Sequence, residues 1–119
     1  MKIGANTWIW FSPVTVADIK AIGPKLVEAG FDMIELPLEV IDGFDYGEAA
    51  TVIKDFGLGV STCAAMGPDR DLIHEDETIR DNGKAYIRHC IEATQTLGAT
   101  NLVGPIYSAV GRTWQSTED

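Results

Sequence analysis

Glycines at positions 30, 57 and 98 each close a helical stretch just before an apolar run, and this repeated junction constrains the fold most. Apolar runs at 2–8 (KIGANTW), 31–36 (FDMIEL), 58–63 (LGVSTC) and 101–103 (NLV) predict strands. Residues 14–29, 46–56 and about 75–97 carry apolar side chains at helical spacing. In the first of these, Val16, Ile19, Leu26 and Val27 share one side, Thr15 suits the N-cap with Asp18 three residues on, and Gly23-Pro24 predicts a kink or restart. In the third, Ile79, Tyr86, Ile87, Cys90, Ile91, Thr94 and Leu97 recur at helical spacing. The order β-α-β-α-β-α-β with short helix-to-strand turns calls for a parallel sheet with right-handed crossovers. Two architectures satisfy it: a small doubly wound sheet, or the first half of a (β/α)8 barrel.

The chain has 119 residues, 45% of them apolar, which suits one domain over 1–119. Its formal net charge of −9 argues against nucleic acid, which requires basic surface to displace counterions from phosphates, and disfavours anionic membranes. Two cysteines, Cys63 and Cys90, are too few for a disulfide framework or a metal knuckle and read as reduced thiols of a cytoplasmic protein. The N-terminus lacks the long apolar region of a signal peptide, and no run reaches the ~18 apolar residues of a membrane span. The expected setting is soluble and cytoplasmic.

In both architectures a ligand binds at the C-terminal ends of the strands. Those ends supply Asn6, Trp8 and Trp10 from the first strand and Glu35 and Glu39 from the second. Cys63 and Met66-Gly67-Pro68 come from the third, and Gly104, Pro105 and Tyr107 from the fourth. Aromatic faces pack on sugar C–H groups while Asn, Glu and Tyr hydrogen-bond hydroxyls, so a neutral sugar or polyol fits better than a phosphorylated ligand. Each residue also has a plain structural reading: the tryptophans as packing aromatics, Glu35 as a core ion-pair partner, Cys63 as an inert buried thiol. His74 falls in a charged loop and His89 on the expected solvent side of the third helix. No Ser-His-Asp pattern, Gly-rich phosphate loop or metal cage can be assembled. Asp69, Asp71, Glu75, Asp76 and Glu77 read as a solvated cluster favouring the third helix's N-terminus.

The segments MKIGANTWIW, EAGFDMIELPLE, AAMGPDRDLIHEDETIRDNGKAYIRHCIEAT and GPIYSAVGR together resemble the D-tagatose/D-psicose (ketose) 3-epimerase family of xylose isomerase-like TIM barrels. The most specific piece is GPDRDLIHEDETIRDNGKAYIRHCI. The resemblance implies an α/β fold, the first half of a (β/α)8 barrel. It also implies a divalent metal (Mn, Co or Mg) and epimerisation at C3 of a free ketose through an enediolate. Carbanion formation beside a carbonyl needs a carboxylate base and Lewis-acid stabilisation.

In that family the catalytic glutamates and the metal ligands come from the second half of the barrel, so the resemblance assigns no catalytic residue and no metal ligand to this chain. What it carries over is substrate-pocket wall. Asn6 stands where the family often has an aromatic, with Trp8 supplying the aromatic wall. Cys63 and Gly67 line the strand-three end, Pro105 and Tyr107 lie on the loop closing over the sugar, and Glu35 supports the floor. A half-barrel leaves bare strand edges, so a homo-oligomer that covers them is expected. The alternatives are a non-catalytic sugar-binding or scaffold module, or an inosose dehydratase or hydroxypyruvate isomerase of the same superfamily.

Overall fold

In the computed structural model the described residues are 1–112. Four strands, β1 (Gly4–Asn6), β2 (Met33–Pro37), β3 (Gly59–Cys63) and β4 (Leu102–Val103), alternate with three helices, α1 (Val16–Glu28), α2 (Tyr46–Asp55) and α3 (Glu77–Thr96). The strands lie in the order β1-β2-β3-β4 and every pair is parallel. The alternation calls for this parallel order, and the resemblance implies that it is the first half of a (β/α)8 barrel.

Local chemistry sets the element boundaries. Thr15 and Asp18 form a reciprocal capping box at the start of α1, with the Asp18 amide 3.2 Å from Thr15 Oγ1 and the Thr15 amide 2.9 Å from Asp18 Oδ2. Asp45 and Asp76 cap α2 and α3 one way, their carboxylates accepting the Glu48 and Thr78 amides. Gly30, Gly57 and Gly98 all adopt positive φ directly after a helix, the left-handed conformation that ends a helix at little cost to glycine alone.

Beyond shifts of one or two residues at most strand and helix ends, two features differ from the sequence expectation. The first strand stops at Asn6, and Trp8 sits in a 3-10 turn, Thr7–Ile9, because the Asn6 side chain accepts the Trp8 amide and turns the chain. Helix α1 runs through Gly23-Pro24 as one helix, so no restart occurs there. Pro24 and Lys20 share its exposed face, so the carbonyl deprived of an amide partner faces water, while Gly23 packs beneath the Phe56 ring, where a Cβ would not fit. Val27, expected on the apolar side, is 46% exposed.

The sheet's two faces have different chemistry. Ala5, Ile34, Leu36 and Thr62 are buried towards the helices, in a core with Ile19, Leu26, Ile53, Tyr86, Cys90 and Leu97. The opposite face carries the next residues of the two-residue alternation. Register sets Asn6 beside Glu35 and Glu35 beside Ser61, so three polar side chains stand at one level.

Candidate functional site

That level is a continuous hydrogen-bonded row. Asn101 Nδ2 donates to Ser61 Oγ at 2.8 Å, Ser61 Oγ donates to Glu35 Oε2 at 2.8 Å, and Asn6 Nδ2 donates to Glu35 Oε1 at 2.8 Å. The second Asn6 amide hydrogen points to Cys63 Sγ, 3.3 Å from Nδ2, and Asn6 Oδ1 accepts the Trp8 amide at 2.8 Å. The row borders an open cavity of about 400 Å³ lined by Gly4, Asn6, Met33, Glu35, Ser61 and Asn101. Burial pushes the Cys63 thiol up; the Asn6 hydrogen bond pulls the other way, the charges of Glu35 and Glu39 add to the rise, and the result is about 11. Cys63 is therefore a thiol, not a thiolate, at neutral pH.

The rim is built from the loops that leave the strand ends. Trp8, 39% exposed, and Tyr107, 72% exposed, present aromatic faces to solvent, and neither the Trp8 indole nor the Tyr107 hydroxyl hydrogen-bonds to another described residue. Gly67 follows Met66, whose amide donates to the Pro105 carbonyl at 3.2 Å. The Val110 amide donates to the Met66 carbonyl at 3.0 Å, so the loops after β3 and β4 are laced together as a short parallel bridge. Gly104 makes this approach possible: its φ of +128° suits glycine, and a Cβ there would overlap the Ala64 carbonyl. Of the residues singled out in the sequence, the structure joins Asn6, Glu35 and Cys63 by hydrogen bonds. Gly67, Pro105 and Tyr107 stand on the two laced loops, and Trp8 on the turn that Asn6 caps.

Several polar contacts were not evident from the sequence. Ser61 and Asn101 extend the Glu35 row, and only the strand register reveals it. Asp71, expected in a solvated acidic cluster, is instead 1% exposed and pairs with Arg112. His89, expected on the solvent side of α3, is part-buried, with Nε2 3.1 Å from the Tyr46 hydroxyl, which also lies 3.1 Å from the Val40 carbonyl. Glu39 Oε1 accepts from Ser12 Oγ at 2.6 Å while its Oε2 is buried without a partner among the described residues. The Arg70 guanidinium lies over the Tyr86 ring, 3.8 Å from its centroid.

Among the described residues no three His, Cys, Asp or Glu side chains come together in a way that could hold a metal ion. These residues alone do not make the cation cage that the resemblance implies for the family. Among the same residues no helix is long and apolar enough to cross a membrane.

A parallel four-stranded sheet with helices on one face and polar side chains on the other is the arrangement of half a (β/α) barrel. The chain belongs to the xylose isomerase-like TIM barrel family, which its sequence matches over residues 24–119. It is 31% identical over 110 residues to a ketose 3-epimerase of Arthrobacter globiformis, an overlap covering 92% of this chain and 38% of that protein. It is 26% identical over 110 residues to an L-ribulose 3-epimerase of Mesorhizobium japonicum, covering 92% of this chain and 37% of the relative. Among solved structures, an L-ribulose 3-epimerase superposes with a TM-score of 0.88 at 24% identity, covering 99% of this chain and 40% of that one. A D-allulose 3-epimerase from Methylomonas sp. superposes with a TM-score of 0.87 at 23% identity, covering 95% and 40%. The chain thus spans about two fifths of the length of these relatives. The superpositions decide between the two architectures in favour of the barrel.

Proposed function

We propose that residues 1–119 form the N-terminal half of a sugar epimerase barrel that interconverts free ketoses at C3. The observation that carries this reading is the 31% identity to a ketose 3-epimerase over 92% of the chain. The chemistry of the strand ends supports it. Amide, hydroxyl, carboxylate and thiol groups gather on the open face, aromatic side chains stand on the rim, and the loop cation Arg112 is already paired with Asp71. A neutral polyhydroxylated ligand can use such acceptors and donors, whereas a phosphate would call for unengaged cations and amides.

In this reading Trp8 and Tyr107 supply aromatic walls against the sugar's C–H faces. Asn6, Cys63, Gly67 and Pro105 line the pocket where the strands end, and Glu35, held by Ser61, supports its floor. The reaction class is removal of a proton from the carbon beside a carbonyl and its return to the opposite face through an enediolate. A bound divalent cation would polarise the ketose oxygens in this family, and the described residues do not make its site. The open edges of β1 and β4 leave backbone groups for further strands, from a continuing barrel or from a second chain in an oligomer.

The test is exchange in deuterated water. The purified protein, as the cell makes it, is incubated with free ketoses and a divalent cation, and deuterium at C3 is followed by NMR. Incorporation at C3 with formation of the epimer is expected. Sugar binding with no C3 exchange under any cation would overturn the epimerase reading in favour of a binding module.

A further inference from the structure

Asn6 stands on the wall of the proposed sugar pocket, yet its side chain is already spent within the protein. Its Oδ1 faces a backbone amide, which only donates, and its Nδ2 faces a carboxylate oxygen, which only accepts. These two neighbours fix the amide's orientation without ambiguity. Both Nδ2 hydrogens are then committed, one to Glu35 Oε1 at 2.8 Å and the other to Cys63 Sγ at 3.3 Å. An incoming hydroxyl would find no free N–H on Asn6, and its oxygen already caps the turn that carries Trp8.

Glu35 is held from its other side by Ser61, and Ser61 by Asn101, so its carboxylate is fixed against both neighbouring strands. The chain of contacts runs from Asn101 through Ser61, Glu35 and Asn6 to the backbone of Trp8. We infer that Asn6 is a positioning residue: oriented by Glu35, it holds the Trp8 turn and the Cys63 thiol in place at the pocket wall and makes no direct donor contact to substrate. The inference rests on the sugar-pocket reading only for what the wall faces; the holding role rests on the contacts themselves.

The donor and acceptor of the Asn6–Glu35 bond can be exchanged, and that provides the test. In Asn6→Asp, two carboxylates face each other and the side chain turns away, releasing the Trp8 amide. In the double variant Asn6→Asp with Glu35→Gln, the new amide on β2 donates to the new carboxylate on β1. The other oxygen of that carboxylate accepts the Trp8 amide again, while Ser61 still donates to the remaining carbonyl oxygen on β2. Hydrogen exchange of the Trp8 backbone amide, read by NMR on the intact chain, should accelerate about tenfold in Asn6→Asp, the effect of losing one hydrogen bond. It should return to the original rate in the double variant.

An unchanged Trp8 amide in Asn6→Asp would overturn the inference, as would a double variant that stays fast. Should Asn6→Asp fail to fold, recovery of the fold in the double variant supports the exchange of roles and failure to recover counts against it. Loss or absence of C3 exchange with ketoses would bear on the proposed function alone and leave the amide measurement standing.

Discussion

Asp71 and Arg112 form an ion pair across 41 positions of sequence, and it ties the loop after β3 to the loop after β4 beyond the C-terminal ends of those strands. Burial by itself would push the Asp71 carboxyl up. The Ile73 amide, 3.1 Å from Oδ1, and Arg112, through both its hydrogen bond and its charge, outweigh that effect and hold the group below its ordinary value of 3.8.

A depressed folded value fixes the sign of the pH effect. The ionised Asp71 stabilises the folded loops above the unfolded value near 4, and the contribution is lost as pH falls through the lower folded value. Protection of the Val110 amide, which bonds the Met66 carbonyl across the same two loops, should therefore weaken in acid. Asp71→Asn should lower protection at neutral pH and flatten this acid dependence. An Asp71→Asn chain that retains the full acid response would assign the effect to other carboxylates.

Cys63 gives the opposite window. Its thiol is raised from 9.0 to about 11, burial first among the causes. A raised value means that stability is fully present below the unfolded value and is lost as pH rises through the folded one. Thermal melts should thus show a loss between about pH 9 and pH 11 that Cys63→Ser reduces. At pH 8 the thiol should react with alkylating reagents much more slowly than a free cysteine, because both burial and protonation oppose attack.

Tyr86 is a third measurable contact. Its ring is 1% exposed, its hydroxyl donates to the Leu38 carbonyl at 2.6 Å, and Arg70 covers its face. Leu38 follows β2 directly, so this bond pins α3 to the strand end. Tyr86→Phe keeps the ring and removes only the hydroxyl, leaving a buried carbonyl short of its partner, at a cost of about 1–2 kcal/mol. Urea unfolding should show a lower midpoint with an unchanged slope. A midpoint equal to that of the parent would mean that another donor replaces the hydroxyl.

What could be read in the sequence was what local chemistry decides. The glycine stops at 30, 57 and 98 and the Thr15–Asp18 cap act over a few residues, so helix ends were legible without knowing the fold. Asn6, Glu35 and Cys63 could be named as candidates because they fall towards the C-terminal ends of the predicted strands. Their connection could not be read, since Asn6 and Glu35 lie 29 positions apart and Ser61 a further 26, and only strand register sets them at one level. Ser61 and Cys63 do alternate on one face, and that two-residue period was the signal available for Ser61. Asp71 and His89 were misjudged for a related reason. A charged residue in a polar loop, or a histidine on a helix, gives no local sign that Arg112 or Tyr46 will cover it from a distant element.

Gly83, inside α3, provides the sharpest packing prediction. Ordinarily glycine in a helix interior is a defect, and replacement by alanine stabilises by about 1 kcal/mol through backbone entropy and helix propensity. Here the position is buried, and a Cβ would lie 2.6 Å from the Arg70 carbonyl oxygen and 3.0 Å from Leu72 Cδ2. The nearest obstacle is backbone, in the 3-10 turn Pro68–Arg70 that follows Gly67, so it cannot rotate away as a side chain would. Either α3 or that turn must move, and overpacking of this kind costs about 1–3 kcal/mol, enough to reverse the sign expected from propensity. Gly83→Ala should lower the melting temperature by several degrees for a chain of this size. The displaced turn should also disturb the amide signals of Gly67 and its neighbours, whereas replacement at Ala85, an exposed position in the same helix, should leave them alone. A more stable Gly83→Ala chain would show that α3 does not rest on the Arg70 carbonyl.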